Sequence, residues 1–362
     1  MLKINKTWWV IIGIPLFFII IFLTPRPIPE ETTLKPRWIT SLEINDPINL
    51  ADPPLPEGSE LIPFILGNRF GYVGDSGFFA LNRIRNAYIS ISEKVWAEYE
   101  TIPASIQVMN PYDETVLRIN DPNGYPLFLD NRIFIVGSEQ NSITAISQTG
   151  ETLWTFDFPS PITCIDAANG YLLAGTLDGV MILLNSRGVP VFPPFEPQGS
   201  RLSVILGCAI SQDASRLVLI SGIDNQRFLL LERTGDTFRV VHHEFLGDGF
   251  RRPVHIRFVN DDTKVVFERE GGLGIFAINS RTSTKVSLDG QIESLDSVGD
   301  GRFIFAITSQ GSNEKRFITI RYPGVVVSQA PFKSENVFFA RRGNRLFIGG
   351  DLTMASFELE KR

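Results

Sequence analysis

Residues 130–158 read DNRIFIVGSEQNSITAISQTGETLWTFDF. A polar turn at Asp130 and Asn131 leads into an apolar run, Ile133 to Val136. A second run ends at Ile146, a polar turn passes through Gly150, and a third run covers Leu153 to Phe158. Short runs rich in Ile, Val, Phe, Thr and Trp, broken by Asn, Asp, Ser and Gly, are strand and turn signals. A further apolar strand, PLFLD from Pro126, precedes them. Four short strands therefore make one unit. No helical periodicity appears from residue 37 onward, so the body reads as all-β.

The unit recurs. Its turn-plus-strand copies are GNRFGYVG from Gly67, ANGYLLAG from Ala168, DASRLVLI from Asp213, DDTKVVFE from Asp261, DGRFIFA from Asp300 and GNRLFIGG from Gly343. Markers at Arg69, Arg132, Tyr171, Arg216, Lys264, Arg302 and Arg345 are spaced by 63, 39, 45, 48, 38 and 43 residues. The last five average about 43, inside the period of roughly 40–50 residues of a four-stranded propeller blade. The spacing predicts a β-propeller over residues 37–362 with seven blades, and eight as the alternative. The first interval is about 20 residues too long for that period. The surplus, around 83–111, reads as an insertion in the first blade or as an eighth blade. Gly150, Gly188, Gly235 and Gly324 fall at one equivalent turn position, where a hairpin often needs positive φ.

The last unit has no outer strand of its own. Residues 37–45 (RWITSLEIN) match the outer-strand copy LWTFDFPSP, with Trp38 against Trp154. Residues 37–45 are therefore expected to close the last blade, which would protect its edge. Phe134, Phe267, Phe303, Phe305 and Phe347 fall on repeated strand positions, where blade must pack on blade.

The segment Ala145 to Trp154 resembles the tryptophan-docking motif of quinoprotein-type propellers. There an Ala, a turn ending in Thr-Gly and a later Trp lock one blade to the next. Residues 184–192 (LNSRGVPVF) are a looser copy, with Phe192 in the Trp position. Ser147 stands where the family commonly has Asp. The resemblance implies a PQQ-like or WD40-like propeller. The analogue in kind is the periplasmic propeller lipoprotein of the outer-membrane β-barrel assembly machinery, although no lipobox is present here. A bound quinone is not implied: the adjacent cysteines characteristic of redox quinoproteins are missing, and 362 residues leave little room for the larger enzymatic propeller. No cofactor is expected.

The N-terminus carries a separate signal. Residues 7–24 hold no charge, and Trp8 to Leu23 is apolar throughout, which suits a single spanning helix at the short end of the usual range. Lys3, Lys6 and the amino terminus lie before it, and Arg26, then Glu30 and Glu31, after it. The positive-inside rule then puts residues 1–6 in the cytoplasm and the body outside, at the inner membrane facing the periplasm. Pro25, Pro27 and Pro29 crowd the place where a signal peptidase would cut, so the segment reads as an uncleaved anchor. Residues 25–36 read as a stiff, Pro-rich spacer.

Composition narrows the function. Charged residues are 20% and hydrophobic residues 43%, which excludes a disordered tail and a polytopic membrane protein. A net charge of −6 argues against a nucleic-acid surface. Cys164 and Cys208 sit in inner strands at matching positions. They are either two small buried hydrophobes or a disulfide across a blade seam. His242 and His243 are adjacent on a strand and point to opposite faces, so they are a poor metal pair. Gly247-Asp-Gly249 and Gly271 to Gly274 read as hairpin turns. Asp261, Asp262 and the run Asp296 to Asp300 read as turn carboxylates, with no Ca²⁺ loop spacing. A hydrolase would need carboxylates converging on the central funnel. Asp130, Asp166 and Arg257 lie on inner strands, but sequence alone does not bring them together.

The expected function is a non-catalytic, membrane-tethered scaffold that binds a protein partner at the membrane. Trp96 and Tyr99 are candidate aromatic anchors, with packing onto the first blade as the alternative. Arg251 and Arg252, like Arg341 and Arg342, are candidate basic residues at a channel mouth. The rival is an exported hydrolase or ligand-sensing protein with its site in the funnel.

Overall fold

The computed structural model describes residues 32–43, 60–247, 249–297 and 302–361. The segments read as cytoplasmic tail (1–6) and spanning helix (7–24) lie outside the described residues. So does residues 25–31 of the spacer. Its remainder is strand rather than spacer, because Thr32–Ser41 forms an extended run. Among the described residues, no helix is long and apolar enough to cross a membrane.

The described residues form eight antiparallel sheets. In chain order the blades cover residues 61–84, 88–120, 124–157, 162–184, 205–247, 256–287, 291–333 and 337–361. Six are four-stranded. Blade 4 has three strands, supplemented by isolated bridges Met181↔Phe195 and Leu184↔Pro190. Blade 8 takes Thr32–Ser41 as its outer strand, beside Thr353–Lys361. Residues 36–358 make one compact unit. In the other, Lys35 pairs with Glu360 at 2.8 Å.

Eight blades replace the seven expected. The surplus around 83–111 is not an insertion: it belongs mostly to blade 2, whose strands are Tyr88–Ile91, Trp96–Tyr99, Ser105–Met109 and Thr115–Asn120. The apparent excess came from a slip of one strand at the first marker. Arg69 opens a third strand, not a second. The docking contacts show this. Trp154, in the outer strand of blade 3, reaches Ser186 in a turn of blade 4. Arg83 likewise reaches Asp113 in a turn of blade 2, so Phe79–Ile84 is the outer strand of blade 1. Leu61–Leu66 then takes the second position, and no described strand holds the innermost one. Second strands now begin at Leu61, Trp96, Arg132, Tyr171, Arg216, Lys264, Phe303 and Arg345, with spacings of 35, 36, 39, 45, 48, 39 and 42.

Each strand shows one side chain to the preceding blade and the next to the following one. The core is accordingly a set of seams. Seven apolar clusters each straddle two neighbouring blades, and one joins Phe347 and Met354 of blade 8 to Ile62, Phe64 and Val73 of blade 1. Between blades 7 and 8, Phe305 and Phe317 pack on Phe339 with centroids 6.2 and 5.7 Å away. Phe134, Phe267, Phe305 and Phe347 are wholly buried. Each such ring contributes roughly 1.5–3 kcal/mol, which explains the need for so many aromatics. Phe303 differs, being only half-buried at a strand end.

Candidate functional site

Three places merit a functional reading: the central channel, the blade seams and one exposed aromatic patch.

Inner strands line the channel. Asp166 pairs in register with Leu173, Arg257 with Val266 and Asp296 with Phe305. Each partner lies two residues into its second strand, so the three charged residues share one depth. Arg257 Nη1 stands 3.4 Å from Asp296 Oδ1 and donates to the Leu295 carbonyl at 2.9 Å. Arg341 Nε lies 3.7 Å from the same carboxylate. Asp166 accepts the backbone N–H groups of Ala167 and Ile210, each at 2.9 Å. Burial pushes its carboxyl above the ordinary range, opposed by those N–H groups and by Arg257. Asp130 falls in the turn after the inner strand Gly124–Leu129 and not on the strand as expected; it accepts the Gly170 N–H at 2.8 Å and pairs with Arg132 at 3.4 Å. The structure therefore brings Asp166 and Arg257 into one electrostatic group, which sequence reasoning left open, and adds Asp296, which lies within the inner strand Gln291–Ser297 and not in a turn as the sequence suggested. A hydrolytic pair needs one carboxyl kept protonated and another free as base or nucleophile. Here Asp296 faces two guanidinium groups and Asp166 is held by backbone donors. The arrangement ties inner strands of blades 4, 5, 6, 7 and 8 together.

The seams carry the docking motif. The Trp154 indole donates to Ser186 O at 2.9 Å, and a Cβ on Gly188 would stand 2.5 Å from its ring. The Trp38 indole donates to Asp75 O at 2.8 Å, against Gly77. Gly150, Gly188 and Gly235 have φ of +87°, +74° and +64°. Gly324 does not share that region, a departure from the expected equivalence.

The predicted interaction residues divide. Trp96 is a core residue, not an exposed anchor: it is 3% exposed, packs on Phe70 at 5.0 Å and donates to Asn110 O at 2.9 Å. Its neighbourhood is the seam between blades 1 and 2. Arg252 is a structural cation, bound to the buried Glu268 by Nη1 at 3.1 Å and Nη2 at 2.5 Å, and it lies over Phe250. Arg251 is exposed. Tyr99 stands in a stack. Its ring is 5.8 Å from Tyr88 and 6.3 Å from Tyr125, with interplanar angles of 26° and 13°. Tyr88 opens an inner strand and Tyr125 lies near the start of the next. Tyr99 closes the antiparallel strand beside Tyr88, so all three rings sit at one end of the blades. Tyr88 is 58% exposed, and Ile102, in the turn just after Tyr99, is 87% exposed. A groove of about 640 Å³ continues from the stack, lined among others by Arg83, Glu98, Tyr99, Glu100, Pro103 and Gln107. Sequence reasoning missed Tyr88 and Tyr125; the signal was a tyrosine at the start of two successive inner strands.

His242 packs on Phe276 at 4.6 Å and His243 on Phe245 at 6.1 Å. Among the described residues, no group of three or more His, Cys, Asp or Glu could hold a metal ion.

Eight antiparallel blades, six of them four-stranded, with tryptophan docks between neighbours, define the class, a β-propeller. The chain belongs to a β-propeller protein family, whose model matches residues 1–362. It is similar to an uncharacterized protein of Treponema pallidum (strain Nichols), 24% identical over 299 residues, covering 83% of this chain and 78% of that one. Among solved structures it is similar to BamB from Moraxella catarrhalis, with TM-score 0.61 and 13% identity, covering 90% of this chain and all of that one. It is also similar to dihydro-heme d1 dehydrogenase NirN, with TM-score 0.54 and 12% identity, covering 72% of this chain and 58% of that one. At such identities these likenesses show the fold alone, a β-propeller.

Proposed function

We propose that this chain is a non-catalytic protein-binding scaffold, tethered to the inner membrane by residues 7–24 with its propeller in the periplasm, and acting in envelope or outer-membrane protein assembly. The carrying observation is the stack of Tyr88, Tyr99 and Tyr125 beside Ile102 and an open groove. Tyr supplies large, rigid contact area with a polar tip, and such residues dominate interface hot spots. The compensated channel supports the non-catalytic part. The tether rests on the uncharged run before Arg26 and the charges flanking it. The likeness to BamB is consistent with this reading.

A second reading is kept for one observation. Asp166, with its raised carboxyl pKa beside Arg257, could receive an ionisable ligand in the channel.

The test is site-specific photo-crosslinking of the full chain in native membranes. A crosslinker at position 88 or 102 should capture one defined protein. The same group at Arg187, in the turn at the opposite end of the blades, should not. Absence of an adduct at 88 and 102, or the same adducts at all three, overturns the proposal.

A further inference from the structure

Cys164 and Cys208 are unbonded thiols on inner strands of adjacent blades, Ile162–Ala168 and Ile205–Ile210. Two polar contacts pin these strands side by side. Thr163 Oγ1 donates to the Ile205 carbonyl, and Asp166 Oδ2 accepts the Ile210 N–H at 2.9 Å. The two cysteines lie between those pins, one on each strand. Gly175 stands opposite Cys164 in the register. A Cβ there would come within 2.8 Å of Cys164 Sγ and 2.4 Å of Ile205 Cγ2, so the missing side chain leaves the sulfur its space. Cys208 is buried in the cluster joining blades 4 and 5, and the half-buried Cys164 packs against that cluster.

We infer that Cys164 and Cys208 form a reversible oxidation site, whose product is a disulfide stapling blade 4 to blade 5. The inference is independent of the binding function proposed above. Contact with Cys164, then burial, holds the Cys208 thiol well above the usual thiol range. The buried Cys208 thiol therefore stays protonated at rest, and the half-buried Cys164 is the entry point.

The oxidant is a small-molecule or protein disulfide, RSSR. The Cys164 thiolate attacks one of its sulfurs and expels RS⁻, which takes up the proton Cys164 released. Cys208 then loses its proton and attacks the Cys164 sulfur, expelling the second RS⁻, which is protonated in turn. Two thiols and RSSR become one protein disulfide and two RSH, with two electrons passed to RSSR. A dithiol reductant reverses each step.

The experiment incubates the native full chain with oxidised glutathione, then counts thiols after denaturation and maps peptides without reduction. The expected result is loss of both thiols and a single 164–208 link within one chain. The melting temperature should rise by several degrees, because a bond closing a long loop restricts the unfolded chain. Dithiothreitol should restore both. In Cys208→Ser, glutathione should remain attached at Cys164; in Cys164→Ser, Cys208 should stay unmodified. Persistence of both thiols in the native chain, while the same chain oxidises in denaturant, overturns the inference. So does a wild-type reaction that stops at glutathione on Cys164.

Discussion

Trp38 and Trp154 occupy the same position in blades 8 and 3. Trp154 lies 6.1 Å from Phe134 at 54°, and Trp38 lies 6.0 Å from Phe347 at 56°. Each donates its indole N–H to a carbonyl of the next blade, Ser186 and Asp75 respectively. One residue does this within the chain's run, the other at the seam where the ring closes. Trp38→Ala and Trp154→Ala should each cost about 3 kcal/mol, since a large half-buried ring and a hydrogen bond go together. Phe at either site should cost about 1 kcal/mol, the hydrogen-bond share. Urea unfolding gives these numbers. Trp38→Ala unfolding at the wild-type midpoint would show that the first strand does not latch the ring.

Glycine positions separate strain from clash. Gly188 has φ +74° and a Cβ there would meet the Trp154 ring at 2.5 Å; Gly235 has φ +64° and nothing within 4 Å. Gly235→Ala should therefore cost about 1 kcal/mol from backbone strain alone. Gly188→Ala should cost clearly more, about 2–4 kcal/mol, because the indole must move and lose its bond. Combined with Trp154→Ala, Gly188→Ala should cost only its strain. A double-mutant cycle reads that coupling; additive effects would disprove the clash.

The blade repeat was legible because hairpin turns and strand runs recur in register, as in Asp130–Val136 and Asp213–Ile220. Blade number was not. Third strands resemble second strands when both follow a Gly-Asn or Asp-Asn turn, so Arg69 passed for the equivalent of Arg132. The Arg83–Asp113 contact, made across a seam, fixes which strand is outermost, and the Trp38 bond to Asp75 agrees with it. The site was legible only in part. Asp166 and Arg257 lie about ninety residues apart, and no local pattern states that their blades face one channel. Trp96 failed for a related reason: its exposure depends on whether 83–111 is an insertion or a blade.

Arg252 and Glu268 make a test of burial. Glu268 is 2% exposed, and the Arg252 fork spans its carboxylate. Arg252→Met would strand a buried charge and should cost about 3 kcal/mol. Arg252→Met with Glu268→Leu should recover much of that loss, since removing both partners avoids an unpaired carboxylate. Chemical denaturation of the three variants decides. A wild-type midpoint for Arg252→Met would return Arg252 to the surface as a candidate binding residue.

Asp166 sets a pH dependence of definite sign. Its carboxyl is raised above the ordinary value, chiefly by burial, so the folded state holds that proton more tightly than the unfolded chain. Above the folded pKa its ionised form lowers stability; the cost fades as pH falls through the folded pKa and is gone below the unfolded one. Asp166→Asn cannot titrate. Wild-type stability measured against this variant should therefore improve on acidification, within the window just above the ordinary carboxylate range. Urea unfolding at a series of pH values measures the difference directly. A difference that stays flat, or that worsens with acid, would mean that the Ile210 and Ala167 N–H groups and Arg257 outweigh burial, and that Asp166 is an ordinary structural carboxylate. The second reading of the channel, as a site for an ionisable ligand, would then lose the one observation that supports it.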